Sequence, residues 1–277
     1  MKINVYVTMM LVSAWALASN AAVLVHEPFD YNTGPLNNTP TSGTGQTGNW
    51  QLTPVNTGNA TLSVADITWS TPEGYSLRPN NTGVGGVVGA TGAFFLEEAI
   101  NFDVNSVTYF SFLYRRPDST AGGVGILSLN SGTTEKARLF QTVGGGAVTA
   151  SIGDTLSGTG NAFPGTGEDL LIVGRIQTVA SGNDTIQLQI TSASGSISTN
   201  FVPTMSASAP TTGSADSLYF WFFTNEASTD AYFGNFRMGS TYDSVISPIP
   251  EPSTMVLLAM GAMLMVQLRR KTGFVAG

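Results

Sequence analysis

The residues that could take part in chemistry lie mainly at the C-terminus, where three different parts follow one another. Pro250-Glu251-Pro252 comes first, an apolar run over residues 255–268 follows, and Arg269-Arg270-Lys271 comes after it. A proline-bracketed glutamate before a short apolar helix and a basic stop is typical of a segment that is recognised and processed. The sequence therefore predicts that this chain is the substrate of a processing reaction at these residues.

The physical properties of this tail agree with a short membrane helix. The prolines of residues 248–252 hold the backbone extended, and Ser253 or Thr254 can cap the helix that follows. Residues 254–268 rise only about 22 Å, which is short of a hydrocarbon core of about 30 Å. A buried amphipathic helix is the alternative, but residues 255–266 have no polar face. We therefore expect the basic cluster on the cytoplasmic side and the Pro-Glu-Pro segment outside.

Residues 250–254 (Pro-Glu-Pro-Ser-Thr), the apolar stretch and Arg269-Arg270-Lys271 together resemble the PEP-CTERM sorting signal. Substrates of exosortases carry this signal in exopolysaccharide-producing Gram-negative bacteria. The resemblance covers about a tenth of the chain. It implies a transient inner-membrane anchor, processing by an exosortase-type enzyme, and a final place in the cell envelope or extracellular matrix. The segment 272–277 is longer than the signal usually has, and an ordinary tail anchor is the alternative.

The N-terminus is typical of a secretory signal peptide over residues 1–21. A charged start is followed by an apolar core over residues 3–18, and Ser19 and Ala21 supply the small residues that signal peptidase requires. We predict cleavage between Ala21 and Ala22. Export by this route agrees with the C-terminal signal.

Catalytic chemistry has few candidate residues. The chain has no cysteine, and we expect its one histidine, His26, at the surface of the first strand. Glycoside hydrolysis needs two acids roughly 5–10 Å apart in a cleft. The pairs Glu97-Glu98 and Glu168-Asp169 do not fit, because adjacent strand residues point to opposite faces. We expect solvated strand-end charges there, and we predict that the protein is not an enzyme and needs no cofactor.

Calcium is the one ion that the residue types allow. Asn101, Asp103 and Asn105 offer oxygen ligands at alternate positions. Ser106 and Phe112 stand where an EF-hand loop has glycine and glutamate, so this is not an EF-hand. We assign no residue to calcium.

The charge of the body excludes some partners. The chain has 18 acidic and 11 basic side chains, and leaving out Lys2, Glu251 and Arg269-Arg270-Lys271 gives the body 17 and 7. A net charge of −10 argues against nucleic acid and anionic lipid headgroups, since both need a basic surface.

The body, residues 22–247, is expected to form a two-sheet antiparallel sandwich of short strands separated by glycine-rich turns. The predicted strands cover residues 61–65, 75–78, 94–99, 107–115, 125–129, 137–143, 148–152, 170–179, 185–191, 197–202, 217–223 and 232–238. Turns at 144–146, 181–184 and 194–195 are expected to connect hairpins. Residues 186–190 alternate between apolar and polar, which predicts one buried and one wet face.

Both ends of the body resemble concanavalin A-like (LamG-type) jelly rolls. Residues 27–31, 34–36 and 48–50 are similar to the opening of such domains, and residues 233–245 are similar to their closing strand. Gly234 stands where that strand usually has an acidic residue before the asparagine. The resemblance implies one all-β jelly-roll domain over 22–247, between the signal peptide (1–21) and the sorting segment with its short transmembrane helix (248–277).

Three functions are compatible with these features. The favoured one is a non-enzymatic envelope or matrix protein, whose partners are signal peptidase, an exosortase-type enzyme and exopolysaccharide. A glycan-cleaving enzyme would need facing acids. The alternative is a lectin-like carbohydrate-binding module, which would need exposed aromatic rings. Its candidate rings are Trp50, Trp69, Tyr75, Tyr109, Tyr114, Trp221 and Tyr232.

Overall fold

A computed structural model describes the sandwich and the segments that cover it. The described residues are 23–27, 34–35, 51–53, 61–64, 68–75, 85–88, 93–95, 98–99, 106–115, 124–131, 134–141, 148–152, 155–156, 167–210, 217–219, 223–224 and 231–247. By contacts the chain divides into two compact units, Met1–Ser247 and Pro248–Gly277. The predicted signal peptide and the predicted sorting segment lie outside the described residues, and the domain boundaries drawn from the sequence stay predictions.

Most of the described residues lie in β-strands. In chain order they are β1 (Val23–Glu27), β2 (Gly34–Pro35), β3 (Gln51–Thr53), β4 (Thr61–Val64), β5 (Gly85–Val88), β6 (Ala93–Phe95), β7 (Glu98–Ala99), β8 (Val107–Arg115), β9 (Val124–Ser131), β10 (Thr134–Gln141), β11 (Val148–Ile152), β12 (Thr155–Leu156), β13 (Asp169–Gln177), β14 (Asn183–Ser192), β15 (Met205–Pro210), β16 (Ser217–Tyr219), β17 (Phe223–Thr224) and β18 (Ala231–Gly239). One short helix, α1 (Tyr242–Ile246), follows the last strand.

These strands form two large antiparallel sheets. The first has nine strands in the order β15-β14-β13-β8-β18-β5-β4-β2, with β1 also paired to β18. The second has seven strands in the order β12-β11-β10-β9-β16-β7, with β17 paired to β9, and β3 and β6 form a separate pair. Strand β11 of the second sheet packs against β14 and β15 of the first. The predicted all-β, two-sheet antiparallel sandwich is thereby confirmed.

Alternation along the strands makes the inner face of the nine-stranded sheet apolar. Phe110, Phe112, Ile172 and Leu188 are fully buried on neighbouring strands of that face. Gly174 lies opposite Phe110 in the β13–β8 register. A Cβ atom on Gly174 would come within 1.9 Å of the Phe110 ring, so only glycine leaves room for this ring.

The outer face of the same sheet is also apolar in its middle, and irregular segments and α1 cover it. Leu113, Leu171 and Val173 there contact residues from the loop 68–75 and from α1. We call this group the outer cluster; it comprises Trp69, Tyr75, Leu113, Leu171, Val173, Tyr242, Val245 and Ile246, with Tyr109, Ile197, Phe201 and Tyr232 packed against it. Strands β8 and β13 therefore bury side chains on both faces.

Covering the outer face explains where the strand predictions were wrong. Residues 197–202 are not a strand, because Ile197 and Phe201 pack on the outer cluster and the backbone there bonds to the loop 68–75. Ile197 N donates to Glu73 O at 2.9 Å, and Glu73 N donates to Gly195 O at 2.9 Å. The 194–195 turn therefore begins a longer connection to β15, which the sequence had not indicated. Tyr75, predicted to begin a strand, lies in the covering loop.

Other strand and turn predictions are confirmed. Strands β8 and β11 have the predicted bounds, and the consecutive strands β10 and β11 pair with each other. The turn predicted between them at 144–146 lies outside the described residues. Strands β13 and β14 pair across the 181–184 turn, where Gly182 has a φ of 109° that favours glycine. The α1 helix was not predicted, because five residues are too few to display a helical period.

Replacing Gly174 with alanine should destabilise the sandwich without changing any polar group. Forcing a methyl group against the Phe110 ring is expected to lower the free energy of unfolding by about 1–3 kcal/mol, measured by denaturant titration. The control is Ser208→Ala on the exposed side of β15, which should stay within about 0.5 kcal/mol of wild type. Equal stability of the two variants would contradict the packing described for β13.

Candidate functional site

The last described segment of the chain is helix α1 with its C-cap Ser247, which lies three positions before Pro250 of the predicted processing motif. Thr241 caps α1: its side-chain oxygen accepts from Ser244 N at 3.2 Å, and its backbone N donates to Ser244 Oγ at 3.4 Å. At the other end, Ser247 N donates to Asp243 O at 2.9 Å. Only Pro248 and Ile249 separate this anchored end from Pro250.

Two side chains from the sheet hold the end of α1. The hydroxyl of Ser111 on β8 donates to Val245 O at 2.6 Å. On β18, the guanidinium of Arg237 donates to Ser247 O at 2.8 Å and lies 3.5 Å from Val245 O. Arg237 has no exposed surface, and a buried charge is tolerated only where acceptors surround it. The carbonyl groups at the end of α1 supply part of that requirement.

Arg237 belongs to a buried polar group that also contains His26, Tyr75 and Asn235; we call these four residues the β18 cluster. His26 Nε2 and Asn235 Oδ1 are 3.0 Å apart, and Asn235 Nδ2 donates to the Tyr75 hydroxyl at 2.6 Å. The Arg237 guanidinium lies 4.9 Å from the centre of the Tyr75 ring, a cation–π contact. The cluster joins β1, the loop 68–75 and β18 in one buried network.

The position of His26 corrects one expectation. It lies in β1 as predicted, but it is fully buried instead of exposed at the surface. It stands opposite Arg237 in the β1–β18 register. The sequence could not show this, because the partner strand lies more than 200 residues further along the chain.

An irregularity in β18 arranges this cluster. The β8–β18 register shifts between Gly234 and Arg237, and Asn235 has a φ of 50°, a left-handed conformation that asparagine tolerates better than most residues. A Cβ atom on Gly234 would come within 2.6 Å of Trp69 Nε1. The indole of Trp69 therefore occupies the space that a side chain at position 234 would need.

Asp169 forms a second buried polar contact and corrects another expectation. It is only 4% exposed, not solvated at a strand end. The guanidinium of Arg115 bonds to both carboxylate oxygens of Asp169: Nε donates to Oδ1, and Nη2 donates to Oδ2 at 2.7 Å. Ser70 N also donates to Oδ2 at 2.6 Å. The hydrogen bond to Asp169 raises the pKa of Arg115, and this pair is suited to fixing the loop 68–75 on the sheet, not to acid–base chemistry.

Gln189 and Tyr242 connect the outer covering segments. The alternation at 186–190 predicts Gln189 on the wet face, but the structure shows it buried. Val202 N donates to its Oε1 at 3.1 Å. The Tyr242 hydroxyl contacts the same Oε1 at 3.4 Å and donates to Ser198 O at 3.2 Å. Burial raises the pKa of Tyr242, and the charge of Asp243 adds to this, while the contact with Gln189 acts in the opposite direction.

The rings that sequence reasoning offered for glycan binding are mostly used in packing. Trp69, Tyr75 and Tyr114 are buried, and Tyr109 and Tyr232 pack against the outer cluster. Trp50 and Trp221 lie outside the described residues. Among the residues whose side chains the structure describes, Val202 is the one large hydrophobic residue that is exposed.

The predicted processing and metal residues lie elsewhere in the chain. Pro250, Glu251, Pro252, Arg269, Arg270 and Lys271 are outside the described residues, as are Ala21 and Ala22 and the calcium candidates 101–105. Within the ranges that the structure describes, no group of three acidic, histidine or cysteine side chains is placed to hold a metal ion. No helix among those same residues is long and apolar enough to cross a bilayer.

Comparison with known families identifies the C-terminal segment. Residues 248–271 match the PEP-CTERM protein-sorting motif. The chain thus carries this sorting signal at its C-terminus, and the signal implies export and processing by an exosortase. The motif begins at Pro248, directly after the residue that Arg237 holds. No curated protein matches the sequence.

Several solved structures resemble the chain in their fold. The endo-beta-1,4-glucuronan lyase from the fungus Trichoderma reesei is 10% identical, with a TM-score of 0.49 over 79% of this chain and 98% of that one. SO2946 from Shewanella oneidensis MR-1, a protein of unknown function, is 15% identical, with a TM-score of 0.45 over 85% and 96%. The carbohydrate recognition domain of Emp47p is 9% identical, with a TM-score of 0.41 over 80% and 98%. Likenesses of this degree assign no activity or ligand to this chain.

Stability should fall in alkaline solution partly because of Tyr242. An unfolded tyrosine loses its proton near pH 10. Folded Tyr242 keeps its proton to higher pH, so the folded state binds more protons there, and its contribution to stability falls as the pH rises above about 10. Tyr242→Phe should lower the free energy of unfolding by about 1 kcal/mol at pH 8, and its difference from wild type should become smaller by pH 11. Denaturant titrations that give the same difference in free energy of unfolding between wild type and Tyr242→Phe at both pH values would contradict this.

Proposed function

We propose that this protein is a non-enzymatic component of the cell envelope or extracellular matrix that associates with exopolysaccharide after exosortase processing. The observation that carries the proposal is the sorting motif at residues 248–271. A signal peptide over residues 1–21 would start export, and the apolar run before Arg269-Arg270-Lys271 would hold the chain in the inner membrane until processing. The sandwich domain would then be delivered outside the cell.

The contacts of the body support a structural role. Two titratable side chains of the described body, His26 and Asp169, are buried and bonded to Asn235 and Arg115. A catalytic acid or base must reach a substrate, whereas these groups fasten one segment of the fold to another. The acidic balance of the body also favours association with neutral or hydroxyl-rich polymer over nucleic acid.

Replacing Pro250, Glu251 and Pro252 with alanine tests the processing step. Intact mass and cell fraction would be measured in the native host. Wild type should be trimmed within the tail and leave the inner membrane, whereas the variant should keep Arg269-Arg270-Lys271 and stay there, because the recognised motif is gone. If wild type also keeps the basic cluster, the tail is a plain membrane anchor and the proposal fails.

Association with exopolysaccharide has a separate test. We expect the trimmed protein to be retained in the extracellular matrix of the native host and to pass into the medium of a host that cannot make exopolysaccharide. An unchanged distribution in the two hosts would remove the polymer from the proposal while leaving the processing step in place.

A lectin-like module would differ from a matrix protein in how its binding to exopolysaccharide depends on aromatic rings. Stacking of sugar rings on Trp50 or Trp221 would make binding of purified exopolysaccharide depend on a single ring. For the matrix role we expect Trp50→Ala and Trp221→Ala to bind as well as Val202→Ala, which removes an exposed apolar side chain elsewhere. A tenfold loss in either tryptophan variant, about 1.4 kcal/mol, would favour the lectin-like function.

A further inference from the structure

Both ends of the described body are fastened to the same strand. Strand β1 begins at Val23, two residues after the predicted signal cleavage site, and it pairs with β18. Helix α1 follows β18 directly, and its last carbonyl groups are bonded to Arg237 of that strand. The first and the last segments that remain after maturation therefore meet at the β18 cluster.

A continuous series of contacts leads from one end to the other. His26 on β1 bonds to Asn235, and Asn235 bonds to the Tyr75 hydroxyl. The Tyr75 ring lies against the Arg237 guanidinium, which donates to Ser247 O. We call this series, from His26 to Ser247, the clasp. Its members are buried except for half-buried Ser247, so they are shielded from competing water.

We propose that the clasp is a positioning device for tail processing, which presents the sorting motif from a fixed point of the folded domain. The inference rests on the proposed function, because it assumes that an exosortase-type enzyme acts on the tail. Two residues separate Ser247 from Pro250, so the length of the chain limits the distance between a fixed Ser247 and the start of the motif. Restricting a recognised segment in advance lowers the entropy lost on binding.

The clasp also makes this presentation depend on complete folding. Strand β1 belongs to the first part of the chain to be exported, and β18 belongs to the last part of the body. His26 can bond to Asn235 only when both have reached the same side of the membrane. Arg237 in turn holds Ser247 in place beside a Tyr75 ring that Asn235 orients. Without β1, the network that supports Arg237 is incomplete.

The test uses the full chain in its native host and follows trimming of the tail by pulse-chase and intact mass. Arg237→Met removes the donors to Ser247 while keeping much of the side-chain volume, and Arg237→Lys restores a donor. His26→Ala breaks the contact with β1. A six-residue Gly-Ser insertion between Ser247 and Pro248 keeps all the contacts of the clasp and only lengthens the connection. Arg175→Met, whose guanidinium bonds to Gln187 and Gln177 on the same sheet, is the matched control.

Trimming should become about three- to tenfold slower in Arg237→Met, His26→Ala and the insertion variant, because the motif is no longer presented from a fixed point. Arg237→Lys should recover part of the rate, and Arg175→Met should match wild type. Amide hydrogen exchange over residues 242–247 should increase in Arg237→Met and His26→Ala and stay unchanged in the insertion variant. Protease resistance of the body, measured in the same cells, distinguishes slow trimming from failure to fold.

An insertion variant trimmed as fast as wild type would overturn the proposal even if the Arg237 variants fail to fold. Normal trimming of a folded His26→Ala chain would overturn the dependence on β1. The variant with alanine at 250–252 separates the two levels of inference. If this variant is trimmed like wild type, the proposed function itself is wrong. If this variant is left untrimmed while all the clasp variants are trimmed like wild type, the motif is required for processing and the clasp is not.

Discussion

The buried guanidinium of Arg237 is the interaction on which much of the described structure depends. A charge without solvent contact costs several kcal/mol unless acceptors surround it. Those acceptors include carbonyl groups at the end of α1, and the Tyr75 ring lies against the charge. The strand, the covering loop and the helix therefore require one another: moving any of them would leave a buried charge with fewer partners. This requirement fixes the C-terminal end of the domain at Ser247.

The two faces of the nine-stranded sheet set the other main constraint. Strands β8 and β13 lie near its middle and carry apolar side chains on both faces, so the outer face has to be covered as well as the inner one. The loop 68–75, the connection 193–204 and α1 do this, and each is held by polar contacts at its edge. Asp169 and Arg115 secure the first, and Gln189 secures the second through Val202 N. Buried polar groups here fasten irregular segments that lie outside the strands of both large sheets.

The body and the tail of this chain carry different features. The tail carries the sorting motif at 248–271, while the polar groups described in the body hold segments together. The first and the last described segments of the body, β1 and α1, both contact β18.

The sequence determined the features that depend on local pattern. Alternation and glycine-rich turns were enough to predict β8, β11 and the hairpin of β13 and β14, because strand period and turn conformation are properties of neighbouring residues. The sorting motif was equally readable, since its three parts are adjacent in the chain. A run of apolar and aromatic residues with turns between them also determined the two-sheet class.

Only the tertiary structure decided which residues meet. His26 and Asp169 were expected at the surface because nothing near them in sequence could satisfy a buried polar group; Asn235 and Arg115 do so from distant strands. Residues 197–202 have the composition of a strand, but packing on the outer cluster and bonds to Glu73 outweigh that propensity. Arg237 gave no signal beyond its place in an apolar strand. Its role depends on carbonyl groups that α1 brings to it, and side-chain partners of this kind are set by the fold, not by spacing along the chain.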